Sequence, residues 1–264
     1  MVTLINIVRN GVRPGYLPIM LRKVGSRLKG VWRRQRSRRS AERWCATREE
    51  DVSQWAAGID ASLWREAEEF ADEHEEHCER ELSKSAVKLG GAGYCSLVYF
   101  VTRLKKPNVV LETGVAAGHT SRCVLSALNV NRAGRLYSSD FPYVRVKEPE
   151  RYIGVVVEER LRSRWTLRTK GDAKNLPEFV KMAGQIDLFH YDSDKSYEGR
   201  RKAMNIVGPY LAKEAIVIFD DIQDNGFFQE LALATQGEAK VFRYRGKYVG
   251  VLLPRQFGEG AGAT

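Results

Sequence analysis

The segment Val109-Val110-Leu111-Glu112-Thr113-Gly114-Val115-Ala116-Ala117-Gly118-His119-Thr120-Ser121 passes from a short aliphatic run, through small residues, to the polar start of a helical pattern. A β-rich run of this length reads as a buried strand. The small residues at 114, 116, 117 and 118 let a ligand come close to the backbone. A helix beginning at Thr120 points its free N–H groups at that ligand. The loop is of nucleotide-binding type, but it is neither G-x-G-x-x-G nor a Walker A loop, since no G-K-[ST] follows. Taken alone it is equally a tight strand-to-helix turn.

Outward from this segment, strands and helices alternate. Further strand candidates are Arg135–Ser139, Thr166–Thr169, Ile186–Tyr191 and Ala215–Phe219, with helical patterns over Thr120–Asn129, Glu150–Arg162, Leu176–Met182 and Tyr197–Leu211. Such alternation predicts a parallel sheet covered on both faces. Val241–Arg245 and Tyr248–Leu253 flank Gly246-Lys247, which predicts an antiparallel hairpin at the end. The expected fold is a doubly wound α/β sheet of seven mostly parallel strands closed by that hairpin and preceded by a helical N-terminal region.

Ligands of open α/β sheets sit beyond the carboxyl ends of the strands, so the residues there carry the functional argument. The second strand ends at Asp140, where an acid would hydrogen-bond a ribose diol. The third is followed by Gly171-Asp172-Ala173; Asp172 would meet an adenine amino group or cap the next helix. The fourth gives Tyr191-Asp192-Ser193-Asp194-Lys195-Ser196-Tyr197, and the fifth Phe219-Asp220-Asp221. Asp192, Asp220 and Asp221 would therefore gather at one sheet edge, where they repel unless a cation joins them. A hard divalent ion such as Mg²⁺ suits carboxylate oxygens. Lys195 would serve as charge balance or as a base. The bland alternative is that these acids cap helices and solvate loops.

The 264 residues carry a net charge of +10, yet the excess lies almost wholly in one place. Residues 1–43 hold ten Arg and two Lys against Glu42, so the remainder is close to neutral. Leu17–Trp32 has the mixture of a cationic amphipathic helix, and Arg33-Arg34-Gln35-Arg36-Ser37-Arg38-Arg39 is a phosphate-binding type of cluster. An anionic membrane surface, a nucleic acid or bulk solvent are the partners this arm would meet. Arg48–Glu81 is the reverse, with thirteen acids and three bases. Its apolar residues Trp55, Ile59, Leu63, Ala67 and Phe70 recur at helical steps. His74, His77 and Cys78 invite a metal reading, but His74-Glu75-Glu76-His77 is one residue short of H-E-x-x-H, so a solvated acidic face balanced by the basic arm is expected instead. Four cysteines without C-x-x-C spacing argue against a disulfide scaffold and for a reducing compartment. No stretch reaches the roughly 20 apolar residues of a membrane span, and Met1–Met20 lacks a signal-peptide core. The expected organisation is a basic arm (1–43), an acidic helical region (44–92), a catalytic α/β domain (93–254) and a flexible tail (255–264).

From about Gly93 to Leu253 the chain resembles the class I S-adenosylmethionine-dependent methyltransferases. It is most similar to the divalent-cation-dependent O-methyltransferases of the catechol, caffeoyl-CoA and bacterial sugar-methylating kind. The matching features are Glu112-x-Gly114-x-x-x-Gly118, Asp140, Gly171-Asp172, Asp192-x-Asp194-Lys195-x-Tyr197-Glu198-Gly199 and Phe219-Asp220-Asp221. The resemblance implies a Rossmann-like fold, S-adenosyl-L-methionine as cofactor and Mg²⁺ or another divalent cation. It implies cofactor contacts from Glu112, Gly114, Gly118, Thr120, Ser121, Asp140, Asp172 and Ala173, with Ser121 on the methionine carboxylate. It implies metal ligation by Asp192, Asp220 and Asp221 and a base at Lys195, with His119 also in reach of the acceptor. One departure is Asp221, where catechol-type relatives carry an amide; another is Lys195, where sugar-acting relatives often place His. The expected acceptor is a hydroxylated small molecule, a sugar or glycolipid saccharide ahead of a catechol, because the arm would bring the enzyme to a membrane-borne substrate. A nucleic-acid methyltransferase lacks support, since no [DN]-P-P-[YFW] string follows strand four. A silent scaffold would have no use for three clustered carboxylates, and a nicotinamide-dependent dehydrogenase would need G-x-G-x-x-G. The expected location is the cytoplasm, with peripheral contact at the inner face of the membrane, and a homo-oligomer is compatible with the sequence.

Overall fold

A computed structural model describes residues 31–85, 87, 93–235 and 237–254, together with Asn6, Ile7, Asn10, Arg13 and Tyr16. The amphipathic pattern at Leu17–Gly30 and the tail 255–264 lie outside the described residues. Within them, the elements are α1 (Val31–Arg48), β1 (Glu49–Glu50), α2 (Val52–Ser83), α3 (Cys95–Lys105), β2 (Val109–Thr113), α4 (His119–Asn131), β3 (Arg135–Ser139) and β4 (Trp165–Arg168). There follow α5 (Asp172–Ala183), β5 (Ile186–Tyr191), α6 (Tyr197–Val207), β6 (Leu211–Phe219), α7 (Phe227–Ala234), β7 (Glu238–Tyr244) and β8 (Lys247–Leu253).

The strands form one sheet in the order β1-β7-β8-β6-β5-β2-β3-β4. All pairs are parallel except those of β8, which runs antiparallel to both β6 and β7. The expected seven strands are present, and the two-residue β1 adds an eighth at the edge, pairing Glu49 with Val241 and Glu50 with Phe242. Order reverses between β2 and β5: the chain leaves β2 for β3 and β4, then returns to β5. That reversal opens the crevice where ligands of such sheets bind.

Each face of the sheet carries a helical layer with its own apolar core. On one side α2, α3 and α4 bury Trp64, Ala67, Phe100, Val124 and Leu128 against Val110, Leu136 and Ile218. On the other, α5 to α7 and Cys45 of α1 pack over Leu111, Phe189, Val217 and Phe219. The acidic helix α2 therefore shares the catalytic domain's core. Asp51 caps α2 by accepting from the Gln54 N–H at 2.7 Å. Asp60 interrupts it with extended φ/ψ and recaps the second half through the Leu63 N–H at 2.9 Å.

Two expectations are corrected. Glu150–Arg162 is not an α-helix: Pro149–Tyr152 and Glu159–Arg164 are separate 3₁₀ turns. The intervening Gly154 has φ +68° and packs under the Trp165 ring, which breaks a continuous helix. On the acidic helix α2, Arg103 pairs with Glu66 at 2.7 Å and Arg245 with Glu75 at 2.6 Å, while most of the basic arm lies outside the described residues. Described arm residues sit elsewhere: Arg13 pairs with Glu150 at 2.9 Å, Asn10 donates to the Val144 and Val146 carbonyls, and Arg38 faces Asp224 at 3.7 Å. Finally, Cys95 and Cys123 form a disulfide across α3 and α4, which the cysteine spacing did not foretell. Among the described residues no helix is long and apolar enough to cross a membrane.

Candidate active site

The loop after β2 is held at both ends by glycines in the left-handed region. Gly114 has φ +84° and Gly118 φ +97°. A Cβ on Gly114 would overlap the carbonyl oxygen of Asp192, and one on Gly118 would lie 2.8 Å from the Gly154 Cα. These glycines thus serve close packing of loop on loop as well as any ligand. Gly114 in particular seats the cofactor-type loop directly on the end of β5, so the loop and the acid cluster belong to one site. The Asp192 N–H donates to the Thr113 carbonyl at 2.9 Å and continues that contact.

Glu112 is fully buried and works inside the domain. Its Oε2 accepts from the Ser121 and Ser138 hydroxyls at 2.6 Å each, and Trp165 Nε1 donates to Ser138 at 2.8 Å. Its Oε1 has no partner. Burial raises its pKa from 4.5 to about 7. Ser121 is itself completely buried, so its hydroxyl ties α4 to β2 and is not directed at a cofactor carboxylate as the resemblance implied. Thr120 lies closer to the crevice, its Oγ1 only 2.8 Å from where a Cβ on Gly93 would stand.

Asp140, at the end of β3, accepts from the Ala116 N–H at 2.9 Å and the Phe141 N–H at 2.7 Å. It is thereby fixed against the glycine loop at the position expected of a ribose-binding acid. Asp172 opens α5, where it accepts from the Ser139 hydroxyl at 2.6 Å and from that of Ser193, linking the ends of β3 and β5. Ala173 follows it in the first turn. Asn175, not singled out from the sequence, is buried and donates to Ser139 Oγ and the Arg168 carbonyl, both at 2.9 Å.

At the ends of β5 and β6 the carboxylates of Asp192 and Asp221 converge on the Lys195 ammonium, with Lys195 Nζ 2.7 Å from Asp221 Oδ2. Lys247 reaches Asp221 Oδ1 at 3.2 Å. These cations hold the Asp221 carboxyl below its ordinary value against the opposing effect of burial. Asp220 is more deeply placed, and burial raises it. Asp221 adopts φ +53°, and the turn is secured by Arg200, a fully buried residue of α6. Its Nη2 donates to the Asp220 carbonyl at 2.9 Å and the Asp221 carbonyl at 2.7 Å. Asn225 donates to the Lys195 carbonyl at 2.8 Å and fixes the other side. Neither Arg200, Asn225 nor Lys247 stood out in the sequence, since arginines and lysines are common in it and only the fold brings these to the cluster. His119, expected near the acceptor, makes an edge-to-face contact with His74 of α2, with centroids 5.7 Å apart.

Comparison with known proteins bears on this geometry. Residues 111–222, which span the glycine loop through the Asp220-Asp221 turn, match the family described as a methyltransferase domain. The match is to a methyltransferase domain and covers less than half of the chain. Its fold is shared with an O-methyltransferase from Bacillus cereus solved with S-adenosylhomocysteine, at TM-score 0.51 and 13% identity, covering 79% of this chain and 99% of that one. It is shared with the O-methyltransferase TomG from Streptomyces achromogenes, solved with S-adenosylmethionine, at TM-score 0.51 and 14% identity over 84% and 98% of the two chains. A putative caffeoyl-CoA O-methyltransferase from Staphylococcus aureus gives TM-score 0.52 and 12% identity over 71% and 99%. At such identities the likeness is one of fold. No curated protein sequence matches the chain. The matched stretch thus gathers the glycine loop, Asp140 and the Asp192–Lys195–Asp221 cluster at the strand ends beside the sheet's topological reversal.

Proposed function

We propose that this methyltransferase transfers the methyl group of S-adenosylmethionine to a hydroxyl of a small molecule. The observation that carries the reading is the seating of the glycine loop on Asp192, which joins a cofactor crevice to a carboxylate–lysine cluster. Asp140 would hold the ribose hydroxyls, and the α4 N-terminus with Thr120 would face the methionine end.

By its chemistry the donor set Asp192, Asp220 and Asp221 suits a hard divalent cation, although the three carboxylates are not drawn into one cluster and the Lys195 ammonium stands between Asp192 and Asp221. Burial disfavours the charge on Asp220. Those three residues would hold the ion, and it would supply charge stabilisation to the acceptor oxygen as its proton leaves. Lys195 is at present the counter-charge of Asp192 and Asp221. Its Nζ is also the group placed to take the acceptor's proton. Arg200 and Asn225 keep the Asp220-Asp221 turn and the Lys195 backbone in register, so the carboxylates need not reorganise.

For the acceptor we favour a sugar or a glycolipid saccharide over a catechol. Support comes from the cationic segment 1–43: its Arg13 and Asn10 lie along the 144–150 loop that leaves Asp140, which would bring an anionic membrane surface beside the cofactor crevice. The test is methyl transfer from labelled cofactor to a panel of saccharides, glycolipids and catechols, with Mg²⁺ or with EDTA. An O-methylated saccharide formed with Mg²⁺ and lost with EDTA is expected. Methylation of nitrogen, or of nucleic acid with steep salt dependence, would overturn the reading.

A further inference from the structure

On the α2 side of the glycine loop, α2 and α4 carry the same spacing of residues. His74 and Cys78 stand four apart on α2, and His119 and Cys123 four apart on α4, so each pair shares a helix face. His74 Nε2 lies 3.4 Å from Cys78 Sγ and 3.7 Å from Cys123 Sγ. The ligating atoms of His74, Cys78 and His119 all fall within 4.8 Å of one another. His74, Cys78 and Cys123 are each 1% exposed. The Nδ1 of His119 is buried without a hydrogen-bond partner. A tetrahedral ion with metal–sulfur bonds near 2.3 Å and metal–nitrogen bonds near 2.0 Å separates sulfur from nitrogen by about 3.6 Å, which is the spacing seen between His74 and the two sulfurs.

We propose that His74, Cys78, His119 and Cys123 form a binding site for a borderline-soft divalent cation of the zinc class. Two imidazoles and two thiolates are the ligand chemistry of a closed tetrahedral site, whereas the crevice carboxylates suit a hard ion. The Arg122 guanidinium donates to His74 Nδ1 at 3.0 Å, so the ring proton sits on Nε2, facing the sulfurs, and that contact must open before Nε2 can bind an ion. Arg122 is itself held by Glu158 through contacts of 2.9 and 2.8 Å. His77, the other histidine of the acidic helix, is turned away and donates its Nε2 proton to the Val156 carbonyl at 2.9 Å.

Cys123 is available only when its disulfide with Cys95 is open. Two equivalents of a thiol reductant supply two electrons and two protons to those sulfurs and leave as their own disulfide. Ion binding then releases the thiol protons of Cys78 and Cys123, while the His74 proton moves from Nε2 to Nδ1 as the Arg122 contact opens and Arg122 stays on Glu158, so that His74 binds as a neutral ring. His119 binds through a neutral ring nitrogen, and Cys95 remains a thiol. The site thus clamps α2 to the cofactor helix in the reduced chain, and the disulfide clamps α3 to it in the oxidised chain.

Cobalt(II) titration of the full chain tests this, because sulfur-to-cobalt charge-transfer bands report thiolate ligation and carboxylates give none. One such ion per chain is expected for the wild type under a phosphine reductant, and none without it. Cys95→Ser, which cannot form the disulfide, should show the band with or without reductant. Cys78→Ser and Cys123→Ser should each weaken binding at least tenfold. No sulfur band in the reduced wild type, or a Cys78→Ser chain titrating like wild type, would overturn the site. The wild-type result decides alone if a variant fails to fold by circular dichroism.

Discussion

Two clusters flank the loop from Gly114 to Gly118, and they differ in nearly every physical respect. On the β5 side stand Asp192, Asp220, Asp221, Lys195 and Lys247, charged, partly solvated and compensated by ammonium groups. On the α2 side stand His74, Cys78, His119 and Cys123, largely dry and poor in formal charge, with one guanidinium at the border. The first arrangement is costly unless a cation is present, so it is organised for changing charge during a reaction. The second is a packed interior whose polar atoms are few and directed at each other. The proposed function assigns chemistry to the first, and the proposed ion site assigns the holding of helices to the second.

The widest separation between the two regions should come from Asp192→Ala. If Asp192 acts as proposed, losing its carboxylate should lower turnover on the order of 10³-fold, about 4 kcal/mol in the barrier. S-Adenosylhomocysteine affinity should hardly move, since Asp192 meets the cofactor loop through its backbone. Steady-state rates beside calorimetric affinities check this; equal losses in both would make Asp192 a structural residue of the cofactor loop.

Glu112, between the clusters, gives the next effect. Its pKa is about 7 in the folded chain against 4.5 when free. The folded state therefore holds more protons than the unfolded one between those values, and stability falls as pH rises through them. The cost, about 3 kcal/mol, is complete only above neutrality. Glu112→Gln removes it, so the variant should gain on the wild type between about pH 4 and pH 8 in urea unfolding. A constant difference across that range would mean that Glu112 stays charged when folded. Arg245→Ala should do least. Its pair with Glu75 is half exposed on both sides, worth about 0–1 kcal/mol, and a shift in Tm of several degrees would contradict that.

The contrast also explains what the sequence let one see. Strand ends are landmarks in a parallel sheet, so Asp140, Asp192, Asp220 and Asp221 could be placed at one edge from their positions alone. Lys195 came with them because it lies three residues beyond Asp192. Local periodicity cannot show which helix faces which, and there the reading fell short. His74 meets Cys123 only because α2 packs across α3 toward α4, so the motif was sought between His74 and His77 along one helix. Arg200 was invisible for the same reason: its role depends on α6 crossing beneath the Asp220-Asp221 turn. The resemblance put Ser121 on the cofactor's carboxylate, yet its hydroxyl is taken by the buried Glu112. Gly154 and Trp165 stopped a helix that the pattern of residues 150–162 alone supported.

The central claim is that the crevice between Gly114, Asp140 and Asp192 binds the methyl donor. Calorimetric titration of S-adenosylhomocysteine into the folded full-length chain, once with Mg²⁺ and once with EDTA, tests it most directly. The account predicts one molecule bound per chain in both conditions, and loss of binding in Gly114→Val, whose side chain would overlap Asp192. No heat of binding in either condition from folded wild-type protein would contradict it.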